Sequence, residues 1–155
     1  MGDQIGSNVP WFAYRLYGAN NRLLYSGSTN NLERRFYEHR GHRWWADIAR
    51  VEVDEFPSRW RAALAERLAG KGEHGWIRAG IGKGIAASMT DEELVEAIQH
   101  PAYARFGDIS IANRWGIPVA KIRRLMLESR RQPIPEVARY SAADPVTLLK
   151  VLGKR

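Results

Sequence analysis

The first strand-like pattern in the chain is a run of apolar and aromatic residues with partial alternation, WFAYRLY at 11–17. The residues that follow at 18–21, Gly-Ala-Asn-Asn, tolerate positive φ and are typical of a hairpin turn. A second apolar run, RLLYSG, occupies 22–27. The pattern therefore predicts two antiparallel strands joined by a short turn.

Helical spacing begins after this hairpin. Thr29 or Asn30 is predicted to cap a helix over about 31–40, because either side chain can accept a hydrogen bond from the first turn. A third strand is predicted at 49–56, where apolar and charged residues alternate, and a second helix at about 59–69. The side chains predicted to face the core from these helices are Leu32, Phe36 and His39, and then Ala63, Leu64, Arg67 and Leu68.

The predicted order β-β-α-β-α makes residues 1–70 a small α+β core. Composition then changes, because six of the fifteen residues at 70–84 are glycine. We therefore predict a glycine-rich linker at 71–88. The stretch GIGKG at 80–84 lacks the GK[ST] ending of a phosphate-binding loop, so the flexible-linker interpretation is preferred.

The pattern becomes helical again after the linker. Thr90 and Glu93 have the spacing of a capping box, and the helix that they open is predicted to end near Gln99, before a proline. Two or three further helices are expected. The fold class is therefore α+β, with an all-helical C-terminal module at 89–155.

Composition limits the classes of protein. The 155 residues allow one ordinary domain or two very small ones, and the 45% hydrophobic content is enough for a packed core. The absence of cysteine excludes disulfides, thiolate zinc sites and a cysteine nucleophile. No secretory signal and no membrane-spanning run is recognisable, so we expect a soluble, cytoplasmic protein without a membrane partner.

The net charge of +7 suggests a polyanionic partner. Residues 1–70 carry ten Lys/Arg against eight Asp/Glu, whereas residues 71–155 carry fourteen against nine. Within 105–131 the count is seven against two. Phosphate neutralisation needs such a concentration of positive charge, so the segment is a candidate nucleic-acid contact.

Two triplets and three polar residues carry the candidate chemistry. Phe-Ala-Tyr at 12–14 lies in the first predicted strand, and Tyr-Ser-Gly at 25–27 lies in the second. Eight residues after the second triplet comes Arg35, and His39 lies four residues further on. Glu66 follows on the later helix. At these positions the chain resembles the GIY-YIG nuclease family.

The resemblance covers about residues 11–70 and implies a metal-dependent endonuclease that hydrolyses phosphodiester bonds in double-stranded DNA. Such a reaction needs a divalent ion (Mg²⁺ or Mn²⁺, held here by Glu66), a fixed positive charge at the phosphate and a group that accepts a proton from water. Arg35 is preferred to Arg34 because it shares a helix face with His39. The catalytic residues that the resemblance implies are Tyr14, Tyr25, Arg35, His39 and Glu66.

The chain departs from the family pattern at Phe12, which replaces the first glycine of the motif, at Ser26, which replaces an aliphatic residue, and again after Glu66. Members of the family often carry an asparagine after the glutamate, but no asparagine follows Glu66 until Asn113. Another group, for which His74 is a candidate, would have to replace it. Trp44 and Trp45 are predicted to pack against the sheet, with base stacking as the alternative.

The segment DISIANRWGIPVAKIRRLM resembles a helix-turn-helix. Ala112 is small where two helices cross, Gly116 suits the turn, Pro118 suits the start of the second helix, and Ile122 would be buried. The residues predicted to contact DNA are Val119, Ala120, Lys121, Arg123 and Arg124. The alternative is an αα-hairpin with a solvated basic face.

Three functions remain after these observations. The preferred one is an endonuclease positioned on DNA by its C-terminal module. The second is a non-catalytic DNA-binding or regulatory protein on a nuclease-like scaffold, which would have no need to retain Arg35 and Glu66. The third is an adapter that binds protein partners, which the basic segment at 105–131 disfavours.

Overall fold

The computed structural model describes residues 9–75, 80–129 and 138–153. The strands are β1 (Trp11–Tyr17), β2 (Leu23–Thr29), β3 (Arg50–Phe56) and β4 (Ala138–Ala142). The helices are α1 (Leu32–His39), α2 (Arg59–Ala69), α3 (Lys83–Ala87), α4 (Asp91–Gln99), α5 (Asp108–Trp115), α6 (Val119–Ser129) and α7 (Pro145–Gly153). Short 3-10 turns lie at Ala19–Asn21, Arg43–Asp47 and Pro101–Tyr103. The α+β fold class is confirmed.

The four strands form one antiparallel sheet in the order β2-β1-β3-β4. The predicted hairpin between β1 and β2 is present, and Asn20 and Asn21 take φ values of 61° and 59° at its turn. Asparagine tolerates this left-handed conformation better than most residues, which is why the sequence alone could predict the turn.

One face of the sheet carries the larger core cluster, where side chains from β1 and β3 meet α1 and α7. Its buried members are Tyr14, Leu16, Tyr25, Leu32, Phe36, Trp44, Val51, Val53 and Leu148. Full burial of a large apolar side chain stabilises the fold by about 1.5–3 kcal/mol before the conformational entropy cost. Since Trp44 is buried here and Trp45 packs against the cluster, both tryptophans pack as predicted.

The opposite face is covered by α2. Its buried side chains are Trp60, Ala62, Ala63 and Leu64. The predicted inner stripe was therefore wrong at its C-terminal end, because Leu68 is 57% exposed and Arg67 is partly exposed. The buried stripe is shifted about one turn toward the N-terminus of the helix, so that Trp60 is buried and Leu68 is not.

The cap of α1 also differs from the expectation. Asn31, rather than Thr29 or Asn30, accepts a hydrogen bond from the backbone N–H of Arg34 at 3.0 Å. Thr29 is the last residue of β2, and its hydroxyl accepts from the backbone N–H of Asn31 at 3.0 Å instead. The strand therefore extends two residues further than its apolar pattern indicated.

The described residues fall into two compact units, the first comprising 9–75 with 138–153 and the second 80–129. Residues 138–153 belong to the first unit because β4 pairs with β3. The sequence predicted helices throughout 89–155 and did not reveal this strand. β4 has only five residues, and its pairing partners lie far away in sequence, so no local sequence pattern predicts this strand.

The second unit is helical. The capping box of α4 is present as predicted, with Thr90 and Glu93 each bonded to the other's backbone N–H. α5 ends at Gly116, which takes the left-handed conformation with a φ of 67°. Ala112 and Ile122 are buried, as the spacing predicted, and α3 lies inside the predicted linker. Among the described helices, none has the length and apolar character that a membrane crossing requires.

Candidate active site

The site begins with a close approach between two strands. The register of β1 and β2 places Tyr14 opposite Gly27. A Cβ atom at position 27 would lie 2.5 Å from the Tyr14 hydroxyl oxygen, a distance that no side chain can accept. Gly27 is therefore a glycine because the Tyr14 hydroxyl occupies the space beside it.

Arg35 on α1 joins the two tyrosines. Its Nε donates to the Tyr14 hydroxyl at 3.2 Å and its Nη2 donates to the Tyr25 hydroxyl at 2.9 Å. Its Nη1 donates to a carboxylate oxygen of Glu38 at 2.8 Å. All three guanidinium nitrogens are engaged, which fixes the plane and position of the charge. The neighbouring Arg34 is mostly exposed and lies 3.8 Å from Glu38, whereas Arg35 contacts both tyrosine hydroxyls.

His39 completes this cluster from the end of α1. Its Nε2 lies 2.7 Å from the Tyr14 hydroxyl, and the imidazole is almost fully buried. Burial, with a smaller contribution from the charge of Arg35, lowers the pKa of His39 to about 4. The imidazole is therefore neutral near pH 7. In the tautomer with an unprotonated Nε2, the Tyr14 hydroxyl accepts from Arg35 and donates its own proton to His39.

Tyr14 is the centre of the cluster. Burial raises the pKa of its hydroxyl well above the ordinary value, the nearby Tyr25 adds to this shift, and Arg35 opposes it. The Tyr14 ring also contacts Phe36 edge to face at a centroid distance of 5.3 Å. The residue therefore has both a packing role and a hydroxyl held between a cation and a base.

Glu66 lies on α2 and is hydrogen-bonded to Ser28 on β2. The Ser28 hydroxyl donates to a carboxylate oxygen of Glu66 at 2.7 Å. Burial raises the pKa of Glu66, while the Ser28 hydrogen bond and the charge of Arg35 lower it. Arg35 is thus close enough to act on the Glu66 carboxylate electrostatically. Ser28 was not identified from the sequence, where a strand serine at an alternating position gives no functional signal.

The side chains around Glu66 can be compared with what a divalent ion needs. Within 9–75, 80–129 and 138–153, no group of three His, Asp or Glu side chains is arranged to hold a metal. This does not suit zinc or calcium, which take most of their ligands from the protein. A single carboxylate does suit Mg²⁺, which keeps several waters and is often bound by one or two carboxylates together with substrate phosphate. Glu66 therefore fits such an ion.

A cleft of about 530 Å³ opens next to the Arg35–Tyr25 pair. Its walls are formed by Tyr25, Arg35, Glu38, His39, His42, Trp44, Glu73, His74 and Gly75. His74, the candidate replacement for the family's asparagine, therefore lines the same cleft as three of the predicted catalytic residues, Tyr25, Arg35 and His39. Sequence reasoning did not identify Glu38, His42 or Glu73, because none of the three stands at a motif position.

The residues predicted to contact DNA lie on α6 in the second unit. Ala120, Arg123 and Arg124 are exposed, while Val119 and Lys121 are partly exposed. Three of them have carboxylate partners: Lys121 and Arg124 lie 2.9 and 3.4 Å from Asp91, and Arg123 lies 2.6 Å from Asp108. The basic face is therefore solvated and partly neutralised by its own acidic neighbours.

Comparison with known proteins gives information on the first unit, which contains the candidate active site. Residues 10–67 match the family model described as the GIY-YIG catalytic domain. The matched segment contains all five residues of the predicted catalytic set. Searches of curated proteins and of solved structures found no significant match. The match agrees with the resemblance inferred from the sequence and does not extend to the helical second unit.

Proposed function

We propose that this protein is a divalent-metal-dependent endonuclease that hydrolyses phosphodiester bonds of double-stranded DNA, because residues 10–67 match the GIY-YIG catalytic domain. The observation that carries the proposal is the fixation of Arg35 by two tyrosine hydroxyls and Glu38. A guanidinium held in this way can stabilise the charge of a phosphate transition state without reorganising.

In this proposal Arg35 supplies the fixed positive charge. A phosphodiester gains negative charge on its non-bridging oxygens as water attacks, and a preorganised guanidinium stabilises that charge without reorganising. The side chain is 35% exposed, so a phosphate can reach it from solvent while its hydrogen bonds remain.

Tyr14 and His39 form the proton relay. The attacking water gives a proton to the Tyr14 oxygen while the Tyr14 proton passes across 2.7 Å to Nε2 of His39. The products of this step are a nucleophilic hydroxide and a His39 imidazolium. The negative charge of a bound phosphate raises the pKa of the buried imidazole and so favours the transfer.

Glu66 is the residue that would hold the metal. The bound ion would offset charge on the phosphate and on the departing 3′ oxygen. The hydrogen bond from Ser28 holds the Glu66 carboxylate in place and favours its ionised form, which is the form that binds Mg²⁺ or Mn²⁺.

The helical unit is proposed to position the enzyme on duplex DNA through α6, with Val119, Ala120, Lys121, Arg123 and Arg124 as the contact surface. Support comes from the exposed arginines of this helix and from the seven basic residues within 105–131. Phosphates would have to displace Asp91 and Asp108 from their ion pairs, which cost little to break at an exposed surface.

A supercoiled-plasmid assay tests the proposal. We expect nicking and linearisation in Mg²⁺ or Mn²⁺, and no cleavage in EDTA. DNA binding without cleavage in any divalent metal would favour the rival function, a non-catalytic DNA-binding or regulatory protein. Cleavage that continues in EDTA would remove the metal assignment while leaving the nuclease assignment intact.

A further inference from the structure

We propose that the cleft beside Arg35 is a subsite for one unstacked nucleobase of the substrate strand, bound against the imidazoles of His42 and His74. This inference rests on the proposed nuclease function, because it assigns the cleft to the nucleotide next to the phosphate at Arg35. It adds a base-binding element to a site that otherwise contacts the sugar-phosphate backbone and water.

The first observation is a set of nearly parallel rings. The planes of Tyr25, His42 and His74 lie 11°, 9° and 8° from the plane of Trp44. The corresponding centroid distances are 5.5, 5.3 and 5.6 Å, which is the range of offset stacking. An entering base would therefore meet rings that already share one orientation, which is the geometry used to bind unpaired bases.

The inner and outer rings of this set differ in exposure. Trp44 is 9% exposed and Tyr25 is 8% exposed, so both are fixed by the core. His42 and His74 line the cleft and are exposed. The rigid rings thus support the two imidazoles, whose remaining surfaces are open to solvent.

Backbone contacts hold His74 at this place. The backbone N–H groups of Glu73 and His74 donate to the carbonyls of Leu23 and Leu24 at 3.0 and 2.8 Å. Gly72 permits this approach with a φ of 75°, since a Cβ there would lie 2.7 Å from the Leu24 carbonyl carbon. His74 is therefore a fixed part of the wall.

The charges of the cleft favour a base over a second phosphate. Arg35 is bonded to Glu38, and Glu73 lies 2.8 Å from Arg22. Each of the two carboxylates is thus paired with an arginine, so the wall beyond Arg35 offers no unpaired cation among these four side chains, while carboxylate oxygens can accept hydrogen bonds from the exocyclic amino groups of bases. The volume of about 530 Å³ lies within the range of small-molecule pockets, so a base and its sugar can enter.

The test measures base binding separately from cleavage. The probe is a DNA duplex that carries one unpaired 2-aminopurine, titrated with the full-length protein in EDTA so that metal-dependent cleavage is prevented. Stacking on the imidazoles is expected to quench the fluorescence of the bound probe beyond the level in free DNA. The double variant His42→Ala/His74→Ala should lose this quenching and bind the probe about 5- to 150-fold more weakly.

Two control variants show whether a loss of quenching comes from the loss of stacking rings in the cleft. His74→Phe keeps a stacking ring without a titratable nitrogen and should retain the quenching. Tyr37→Ala removes a 71% exposed aromatic side chain that does not line the cleft, and should behave as wild type. Thermal unfolding of each variant checks that the fold is intact.

Equal quenching by wild type and the double-alanine variant, or its absence in wild type, would overturn the subsite. Loss of quenching in His74→Phe would also overturn it, because the imidazole would then act by charge or hydrogen bonding. Quenching by a protein that cleaves no plasmid would instead support base binding while refuting the nuclease proposal.

Discussion

Arginine is used in two different ways in the two units of this protein. Arg35 is 35% exposed and donates to three partners, two of them tyrosine hydroxyls that belong to the core of the sheet. Arg123 and Arg124 are 60% and 58% exposed, and each has one carboxylate partner on the surface of its own helical unit. The first arginine is held in place by the fold, whereas the other two are held by weak surface ion pairs.

This difference has a functional consequence. A fixed charge in a partly buried site stabilises a transition state strongly, because no reorganisation is needed when the phosphate charge develops. A solvated charge contributes mainly to association, and salt screens it. Substitutions in the first unit are therefore expected to change the rate of the chemical step, and substitutions on α6 to change DNA affinity.

The largest effect is expected for Arg35→Ala. Loss of the phosphate charge should lower kcat by about 100- to 1000-fold or more, in either metal, with DNA binding and folding nearly unchanged. Arg34→Ala is the matched control, since it removes a mostly exposed arginine from the same turn of α1 and should leave kcat almost unaffected. Single-turnover cleavage measures the effect, and near-normal cleavage by Arg35→Ala would remove the central argument for catalysis.

Glu66→Gln is expected to abolish cleavage in Mg²⁺ and to permit at most weak recovery in Mn²⁺, because a neutral amide binds either ion poorly. The Ser28 hydroxyl can still donate to the amide oxygen, so folding should be preserved. Cleavage titrated against each metal measures the change, with the exposed Glu33→Gln as control. Identical metal dependence in Glu66→Gln and wild type would exclude Glu66 as the metal ligand.

A smaller and more discriminating effect is expected for the two tyrosines. Tyr14→Phe should lower kcat more than Tyr25→Phe, because the Tyr14 hydroxyl joins Arg35 to His39 whereas that of Tyr25 joins Arg35 alone. Each change keeps the ring and should cost about 1 kcal/mol of stability through the lost hydrogen bonds. Cleavage rates and thermal melts are compared; an unfolded Tyr14→Phe protein would indicate that the hydroxyl has a structural role instead of a catalytic one.

The smallest effects are expected for α6. Arg123→Ala or Arg124→Ala should weaken binding to duplex DNA without changing cleavage of bound DNA. Loss of a base contact costs about 1–3 kcal/mol and relaxes sequence preference, while loss of a phosphate contact flattens the salt dependence by about one unit of slope. Binding across a salt series distinguishes the two.

Asp108→Asn gives a further test of whether α6 contacts DNA. It removes the carboxylate that pairs with Arg123, so it should strengthen DNA binding if that arginine contacts DNA. Unchanged affinity and salt slope in all three variants would show that α6 does not touch DNA. The helical unit would then be better explained as a module that binds protein partners.

Much of the first unit was predictable because its signals are local. The alternation in β1, the asparagines of the turn and the helical spacing of Leu32, Phe36 and His39 all depend on near neighbours in sequence. The cap of α1 and the inner face of α2 were misplaced by a few residues, because long-range packing decides such boundaries. β4 was missed for the same reason, since an edge strand is defined by its partner.

By itself, the sequence determined which residue types carry the candidate chemistry. It also determined their order along two strands and two helices, because the spacing between residues can be read directly from the sequence. Only the tertiary structure decided how they meet. The β1–β2 register gives the Tyr14 hydroxyl its space at Gly27, and the hydrogen bonds of Arg35 orient the charge. The segment beside β2 brings His74 to Trp44. These relations join residues distant in sequence, and packing and hydrogen bonding fix them when the chain folds.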